Sequence, residues 1–148
     1  MNDAPFISFS VPGNPVALKR HRTFKKGDLV GTYDPSKGDK KDFLSKSMGY
    51  KPAILLDEPL RVELSFYFYR PRSHYRTGKY SNILKKDAPT WHTKIPDSDN
   101  LIKFVCDSFN GVFWRDDSLI CELYVTKTYS VNPSVNIQIF KLNEQQKT

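Results

Sequence analysis

The sequence predicts an α+β fold: one small domain over residues 1–148, built from a mixed sheet of about four to five strands with two helices packed on one face. Three observations predict this class. A chain of 148 residues suits a single domain. Its 39% hydrophobic residues are enough for one core. The hydrophobic period changes along the chain from that of a strand to that of a helix and back.

The predicted strands are marked by alternating apolar residues. A short strand is expected at 7–11, the clearest strand at 60–69, and two more near the C-terminus, before a polar tail at 143–148. The side chains expected to face the core are Leu60, Val62, Leu64, Phe66 and Phe68, then Cys121, Leu123 and Val125, and finally Val135, Ile137 and Ile139.

Two segments have helical spacing. The stronger begins near Asp99, with capping residues at 97–99 and Gly111 as its C-terminal stop. The weaker follows Asp34, an aspartate suited to cap a helix. Their apolar sides carry Leu101, Ile102, Phe104, Val105 and Phe109 in the stronger helix, and Phe43, Leu44 and Met48 in the weaker one.

The net charge of +7 predicts a polyanionic partner, either nucleic acid or an anionic membrane surface. No apolar run approaches the roughly 20 residues that span a bilayer, and residues 1–5 do not begin a signal peptide. A cytoplasmic protein without a membrane partner is therefore expected. Cys106 and Cys121 lie in apolar-patterned segments, which predicts two buried free thiols rather than a disulfide or a metal pair.

A cluster of acids with a lysine lies at the start of the stronger helix. In an extended run-up, residues two apart point the same way, so Asp97 and Asp99 are expected to aim their carboxylates at one point. Lys103 follows Asp99 by one helical turn. Mg²⁺ suits such a pair because it prefers oxygen ligands and keeps several waters. The ion would activate a water, while Lys103 would stabilise charge on the phosphate or orient that water, so the pattern indicates phosphodiester hydrolysis.

A plainer interpretation of the same residues stays open. Asp97 and Asp99 have the residue type and position of helix caps, and Asp-x-Asp alone is a weak signal. Asp116 and Asp117 have the composition of a polar turn before a strand. Asp107, one turn beyond Lys103, is expected to form a salt bridge rather than to bind metal.

Three blocks in order carry a more specific signal: 96–103 (PDSDNLIK), 107–114 (DSFNGVFW) and 116–120 (DDSLI). Together they resemble the signature of RusA-type Holliday junction resolvases. Weaker similarity to phage-encoded members covers 11–24 and 74–89, and the family outline spans 6–141.

The resemblance implies a homodimeric, Mg²⁺-dependent endonuclease, with Mn²⁺ as a substitute ion, that cuts four-way DNA junctions symmetrically in recombination and repair. By position, Asp97, Asp99 and Asp117 are the implied metal-binding acids and Lys103 the implied catalytic lysine. A C₂ dimer matches a junction that is itself close to two-fold symmetric. The resemblance assigns no clear role to Asp116.

Two basic loops are expected to contact the DNA backbone, which gives affinity and salt dependence rather than sequence choice. Two alternatives remain: a non-catalytic, structure-selective DNA-binding protein of the same fold, and a Mg²⁺ enzyme acting on small phosphate compounds, for which a charge of +7 is excessive. The expected contacts are Lys19, Arg20 and Arg22 in the first loop and Arg70, Arg72, Arg76, Lys79 and Lys94 in the second.

Overall fold

The computed structural model describes residues 4–144 and confirms the predicted α+β class. A four-stranded mixed sheet has the order β1-β6-β4-β5, and a separate two-stranded sheet is formed by β2 and β3. The elements are β1 (Ile7–Pro12), β2 (Arg22–Lys26), β3 (Leu29–Tyr33), α1 (Lys37–Ser47), β4 (Leu60–Phe68), α2 (Ser98–Phe109), β5 (Ile120–Tyr129) and β6 (Ser134–Lys141).

The central strand β4 is the one that the sequence predicts best. It pairs antiparallel with β6 on one side and parallel with β5 on the other. Every second side chain from Leu60 to Phe68 is buried, and the residues between them are partly exposed. The alternation in the sequence therefore corresponds to one covered face, where α1 and α2 contribute to the same core.

Aromatic rings join the two helices to each other and, through Phe9 of β1, to the sheet. Phe43 of α1 lies 5.5 Å from Phe104 and 5.3 Å from Phe109 of α2, measured between ring centroids. Phe109 in turn stacks on Phe113 at 4.2 Å. Rings at such separations add to the stabilisation that burial gives, so this cluster fixes α2 against the rest of the domain.

The structure corrects the boundary of the weaker helix. Ser36, not Asp34, is the N-cap residue of α1, and Asp34 instead accepts a 2.9 Å hydrogen bond from the Ser36 amide. Met48 is 43% exposed because the α-helix ends at Ser47 and the chain tightens there into a 3₁₀ turn. Phe43 is buried as expected.

The inward face predicted for β5 is correct for Leu123 and Val125, which pair with Val62 and Leu64 on the covered side of the sheet, but the strand is less buried than expected. Cys121 is an exposed free thiol and Leu123 is 40% exposed, while Val125 is only partly buried. The reason is position: β5 is an edge strand, and its first half borders an open depression next to α2 instead of a packed layer. Cys106 is buried as predicted.

The first basic loop contains a hairpin that the sequence did not predict. β2 and β3 pair antiparallel from Arg22 opposite Tyr33 to Lys26 opposite Leu29. The connection is a two-residue turn in which Gly27 has φ +62°, a conformation that glycine adopts without steric cost. Nearly every residue of the hairpin is exposed.

The second basic loop, between β4 and α2, is irregular as predicted. Its regular structure consists of two short 3₁₀ turns, Arg72–His74 and Gly78–Tyr80. Within residues 4–144, no helix combines the length and apolar character needed to cross a bilayer. Residues 143 and 144 of the predicted tail are exposed, and the rest of that tail, like residues 1–3, lies outside the described residues.

Candidate active site

The N-terminus of α2 carries two of the predicted acids. Asp97 is the N-cap residue, in an extended conformation with φ −71° and ψ 151°, and Asp99 lies in the first helical turn. The expectation that both acids belong to an extended segment is therefore wrong for Asp99, because the helix already begins at Ser98. Both carboxylates lie at the positive end of the helix dipole, which favours negative charge.

The side chains of these two acids do not cap the helix. The Asp97 side chain makes no capping hydrogen bond. Within residues 4–144, no hydrogen bond or ion pair joins the side chains of Asp97, Asp99 or Lys103 to another residue, and all three residues are exposed. Two carboxylates and an ammonium are thus available to a ligand from solvent.

Lys103 and Asp117 border the same depression, an open cavity of about 250 Å³ between α2 and the start of β5. Asp117 begins the 3₁₀ turn Asp117–Leu119, which leads directly into β5. Asp117 follows Asn110, the C-cap residue of α2, by seven residues, and the pairing of β5 with β4 fixes the strand that continues from this turn. The apolar wall of the cavity includes Ile102, Ile120 and Leu123.

Asp117 also lies next to the C-terminal end of α2. Its Oδ2 is 3.5 Å from Nδ2 of Asn110, the C-cap residue of the helix. Asn110 Oδ1 accepts a 2.7 Å hydrogen bond from Nε1 of Trp114, whose side chain is fully buried. The buried indole of Trp114 therefore orients the side-chain amide of Asn110, which in turn contacts the exposed carboxylate of Asp117. Sequence reasoning gave Asn110 and Trp114 no role of their own.

Asp116 has a structural task that separates it from Asp117. It is the N-cap residue of the 3₁₀ turn, and its Oδ2 accepts a 3.0 Å hydrogen bond from the Ser118 amide. Hydrogen bonds from Ser118 hold the pKa of the Asp116 carboxyl below its ordinary value. Asp116 thus shapes the turn that presents Asp117.

Two further groups on α2, Cys106 and Asp107, differ from the acids at its N-terminus. Burial, followed by the charges of Asp117, Asp107 and Asp116, raises the pKa of the Cys106 thiol to about 12, so it stays protonated at neutral pH. Asp107 Oδ2 lies 3.7 Å from Lys40 Nζ, which confirms the predicted salt bridge.

Residues 12–140 match the protein family described as Endodeoxyribonuclease RusA, a range that includes every site residue discussed above. The chain belongs to the RusA family. A relative from Bacillus subtilis (strain 168), the uncharacterized protein YqaN, is 31% identical over 135 residues, which cover 90% of this chain and 94% of that protein. Family membership confirms the predicted resemblance and places the chain among DNA endonucleases.

The RusA-family acids do not converge within one copy of the described chain. Asp97 and Asn110 flank a helix of 12 residues, which is about 18 Å long at 1.5 Å per residue, and Asp117 lies at the Asn110 end. Within residues 4–144, no group of three or more His, Cys, Asp or Glu side chains is placed to hold one metal ion. Within one copy, Asp117 therefore lies at the same cavity as Lys103 but is separated from Asp97.

Most of the cations expected to contact DNA point into solvent, but Arg70 is engaged by the protein. Its Nη1 donates a 2.7 Å hydrogen bond to the Pro89 carbonyl, and its guanidinium lies 5.3 Å from the centroid of the Tyr129 ring. This geometry gives Arg70 a part in anchoring the second basic loop of the RusA-family chain. The exposed cations of the set are Lys19, Arg20, Arg22, Arg72, Arg76, Lys79 and Lys94.

Proposed function

We propose that this RusA-family protein is a Mg²⁺-dependent endonuclease that resolves four-way DNA junctions by symmetric hydrolysis of phosphodiester bonds. The observation that carries the proposal is the exposed set of Asp97, Asp99 and Lys103 on the first turns of α2, whose side chains bond to no other residue of 4–144, with Asp117 in the same cavity as Lys103. Asp97, Asp99 and Asp117 are the metal-binding acids of this proposal.

The donor chemistry of the helix N-terminus fits hydrated Mg²⁺. The ion is commonly held by only one or two carboxylates, with waters and substrate phosphate oxygens in its other positions. Asp97 and Asp99 offer oxygen ligands that no described side chain neutralises. When bound, Mg²⁺ or Mn²⁺ supplies an acidified water and neutralises charge on the phosphate.

Lys103 is the proposed catalytic lysine. It follows Asp99 by one helical turn, and it borders the cavity that also contains Asp117. A fixed positive charge at this place stabilises the negative charge that builds up on a phosphate under in-line attack. Asp99 and Lys103 thus face one scissile phosphate from neighbouring turns of one helix.

The separation of Asp117 from Asp97 supports a homodimer as the active form. A two-fold axis that sets two α2 helices antiparallel brings Asp117 of one copy towards Asp97 and Asp99 of the other, and a C₂ dimer matches the symmetry of the junction. The surface beside Asp117 is suited to a contact, since Leu123 and Tyr124 are 40% and 57% exposed on the edge strand β5.

The exposed cations of the hairpin and of the loop between β4 and α2 would bind the phosphates of the junction arms. Such contacts position DNA without reading its sequence. The hairpin presents Arg22, Lys25 and Lys26 on strands that project both faces into solvent. Arg70 stays in this proposed set, since its Nη1 donates to the Pro89 carbonyl and a guanidinium has further N–H groups that can reach a phosphate.

The test compares the wild type with Asp99→Asn on a labelled four-way junction, with and without Mg²⁺. We expect the variant to bind the junction like the wild type and to lose cutting, while Asp107→Asn, on the same helix, keeps both. An Asp99→Asn chain that cuts normally would show that the assignment of Asp99 is wrong. A wild type that binds but never cuts in Mg²⁺ or Mn²⁺ would establish the non-catalytic alternative.

Mixed dimers test whether two copies share each site. Asp99→Asn and Asp117→Asn chains are expected to be inactive alone. If Asp117 serves the other copy's Asp97 and Asp99, a mixed dimer contains one intact site and regains the cutting of one strand. If each site is built within one chain, both sites of the mixed dimer are defective and no cutting returns.

A further inference from the structure

The segment that leads to Asp97 runs along the outer edge of β5. The Tyr129 amide donates a 3.0 Å hydrogen bond to the Thr90 carbonyl, and the His92 amide donates one of 3.0 Å to the Lys127 carbonyl. Trp91 and Thr128 form an antiparallel bridge between these two bonds. Residues 90–92 therefore pair with the end of β5 like a short additional strand.

The side chain of Lys127 extends this pairing towards Asp97. Its Nζ donates a 2.9 Å hydrogen bond to the Lys94 carbonyl and one of 2.6 Å to the carbonyl of Pro96, the residue before Asp97. On the other side, the Asp97 carbonyl accepts a 3.2 Å hydrogen bond from the Leu101 amide in α2. The main chain is thus held immediately before and immediately after this acid.

The ammonium of Lys127 is committed to these carbonyls. Within residues 4–144 it forms no ion pair with a carboxylate, and the centroid of the Phe68 ring lies 5.9 Å away. Hydrogen bonds with an ionised donor are shorter and stronger than neutral ones. A charged lysine that donates two such bonds to the backbone next to a functional acid constrains the position of that acid.

We propose that Lys127 is a positioning residue for the metal site, and this proposal rests on the function proposed above. By fixing residues 94–96, Lys127 sets the place and direction of Asp97 at the helix N-terminus. Without it, the Lys94 and Pro96 carbonyls lose their donor and the approach to Asp97 loosens. Loss of groups that orient metal ligands commonly weakens metal affinity by about 10- to 100-fold.

The direction in which metal affinity changes when Lys127 is removed distinguishes this positioning role from a purely electrostatic one. A lysine that acted only through its charge would repel a divalent cation nearby, so its removal would strengthen metal binding. A lysine that holds the backbone does the opposite, because its removal weakens metal binding. The two roles therefore predict changes in opposite directions.

The experiment measures Mn²⁺ binding to the DNA-free protein from the loss of the free-ion electron paramagnetic resonance signal, together with the Mg²⁺ concentration that gives half-maximal junction cutting. The variants are Lys127→Met and Lys127→Arg, whose guanidinium can again donate to two carbonyls. Lys141→Met, on β6, is the matched control, since Lys141 pairs with Glu58 at a distance from the site. If Lys127→Met does not fold, Lys127→Gln replaces it.

We expect Lys127→Met to raise the Mn²⁺ dissociation constant and the Mg²⁺ requirement by about tenfold, Lys127→Arg to recover most of the loss, and Lys141→Met to behave like the wild type. A folded Lys127→Met or Lys127→Gln chain that binds Mn²⁺ as tightly as the wild type, or more tightly, would overturn the positioning role alone. A wild type that neither binds Mn²⁺ nor cuts would instead contradict the proposed function.

Discussion

The side-chain amide of Asn110 directs its nitrogen at Asp117, with 3.5 Å between Nδ2 and Oδ2. Trp114 sets this orientation. An indole N–H can only donate, so the amide oxygen must face Trp114 and the amide nitrogen must face the acid. The placement of an exposed acid therefore depends on a tryptophan in the core.

Trp114→Phe is expected to weaken both the fold and the proposed site. The change removes the donor to Asn110 and leaves unfilled volume in the core, so the free energy of unfolding should fall by about 1–3 kcal/mol in urea titrations. Junction cutting should fall while junction binding is kept. Trp91→Phe is the control, because Trp91 is 61% exposed. Equal losses in both variants would contradict the proposed support of Asp117.

Lys103→Ala is expected to reduce the rate of junction cutting by about 100- to 1000-fold, because the positive charge next to the scissile phosphate is lost. Junction affinity should change little, which gel-shift titration at fixed salt would measure. Lys46→Ala removes a lysine of α1 that pairs with Asp42 on the surface, and it should cut like the wild type. Normal cutting by Lys103→Ala would remove this residue from the mechanism.

Replacing Arg20 and Arg22 together by alanine should make junction binding weaker and less dependent on salt. Each lost phosphate contact lowers the slope of log affinity against log salt by about one. Fluorescence anisotropy titrations in increasing NaCl measure this slope. The control, Lys46→Ala with Lys141→Ala, removes the same net charge elsewhere. If both pairs change the slope equally, Arg20 and Arg22 make no specific phosphate contact.

Acid should destabilise the fold through His92. Burial, then the charge of Lys127, lowers the pKa of His92 below 6.5. The unfolded chain therefore binds a proton before the folded chain does, so stability falls as the pH drops through 6.5. Thermal unfolding between pH 7.5 and 5.5 should show this fall, and His92→Phe, which keeps a ring against Phe68, should reduce it. His21→Phe, before β2, is the control, and an unchanged pH dependence in His92→Phe would exclude His92 as its source.

The sequence predicted those elements whose burial follows from their own pattern. β4 alternates because it lies between two strands and has one covered face. The hairpin has no such pattern, since it buries neither face, and its available signal was the two-residue turn at Gly27 and Asp28. β5 alternates like a buried strand, but its position at the sheet edge leaves Cys121 and Leu123 open.

The sequence predicted those parts of the site whose residues are close together in the chain. The spacing of Asp99 and Lys103 and their place on one helix follow from the sequence alone. The position of Asp117 depends on how β5 pairs with β4, and Lys127 lies 31 residues from Pro96, whose carbonyl it binds. Neither the strand pairing nor the Lys127 contact produces a pattern of neighbouring residues from which it could be predicted. The separation of Asp117 from Asp97 within one copy likewise emerges only from the folded chain.

β4 and β5 run in the same direction, although β4 ends at Phe68 and β5 begins at Ile120. Contacts between segments so far apart in sequence close a long loop, and the entropy cost of that closure slows folding. On a ribosome, α2 emerges before the strand that carries Lys127 and follows Asp117. A growing chain therefore has Asp97 and Asp99 before it has Asp117 and Lys127, and the proposed site is complete only once β5 has paired with β4.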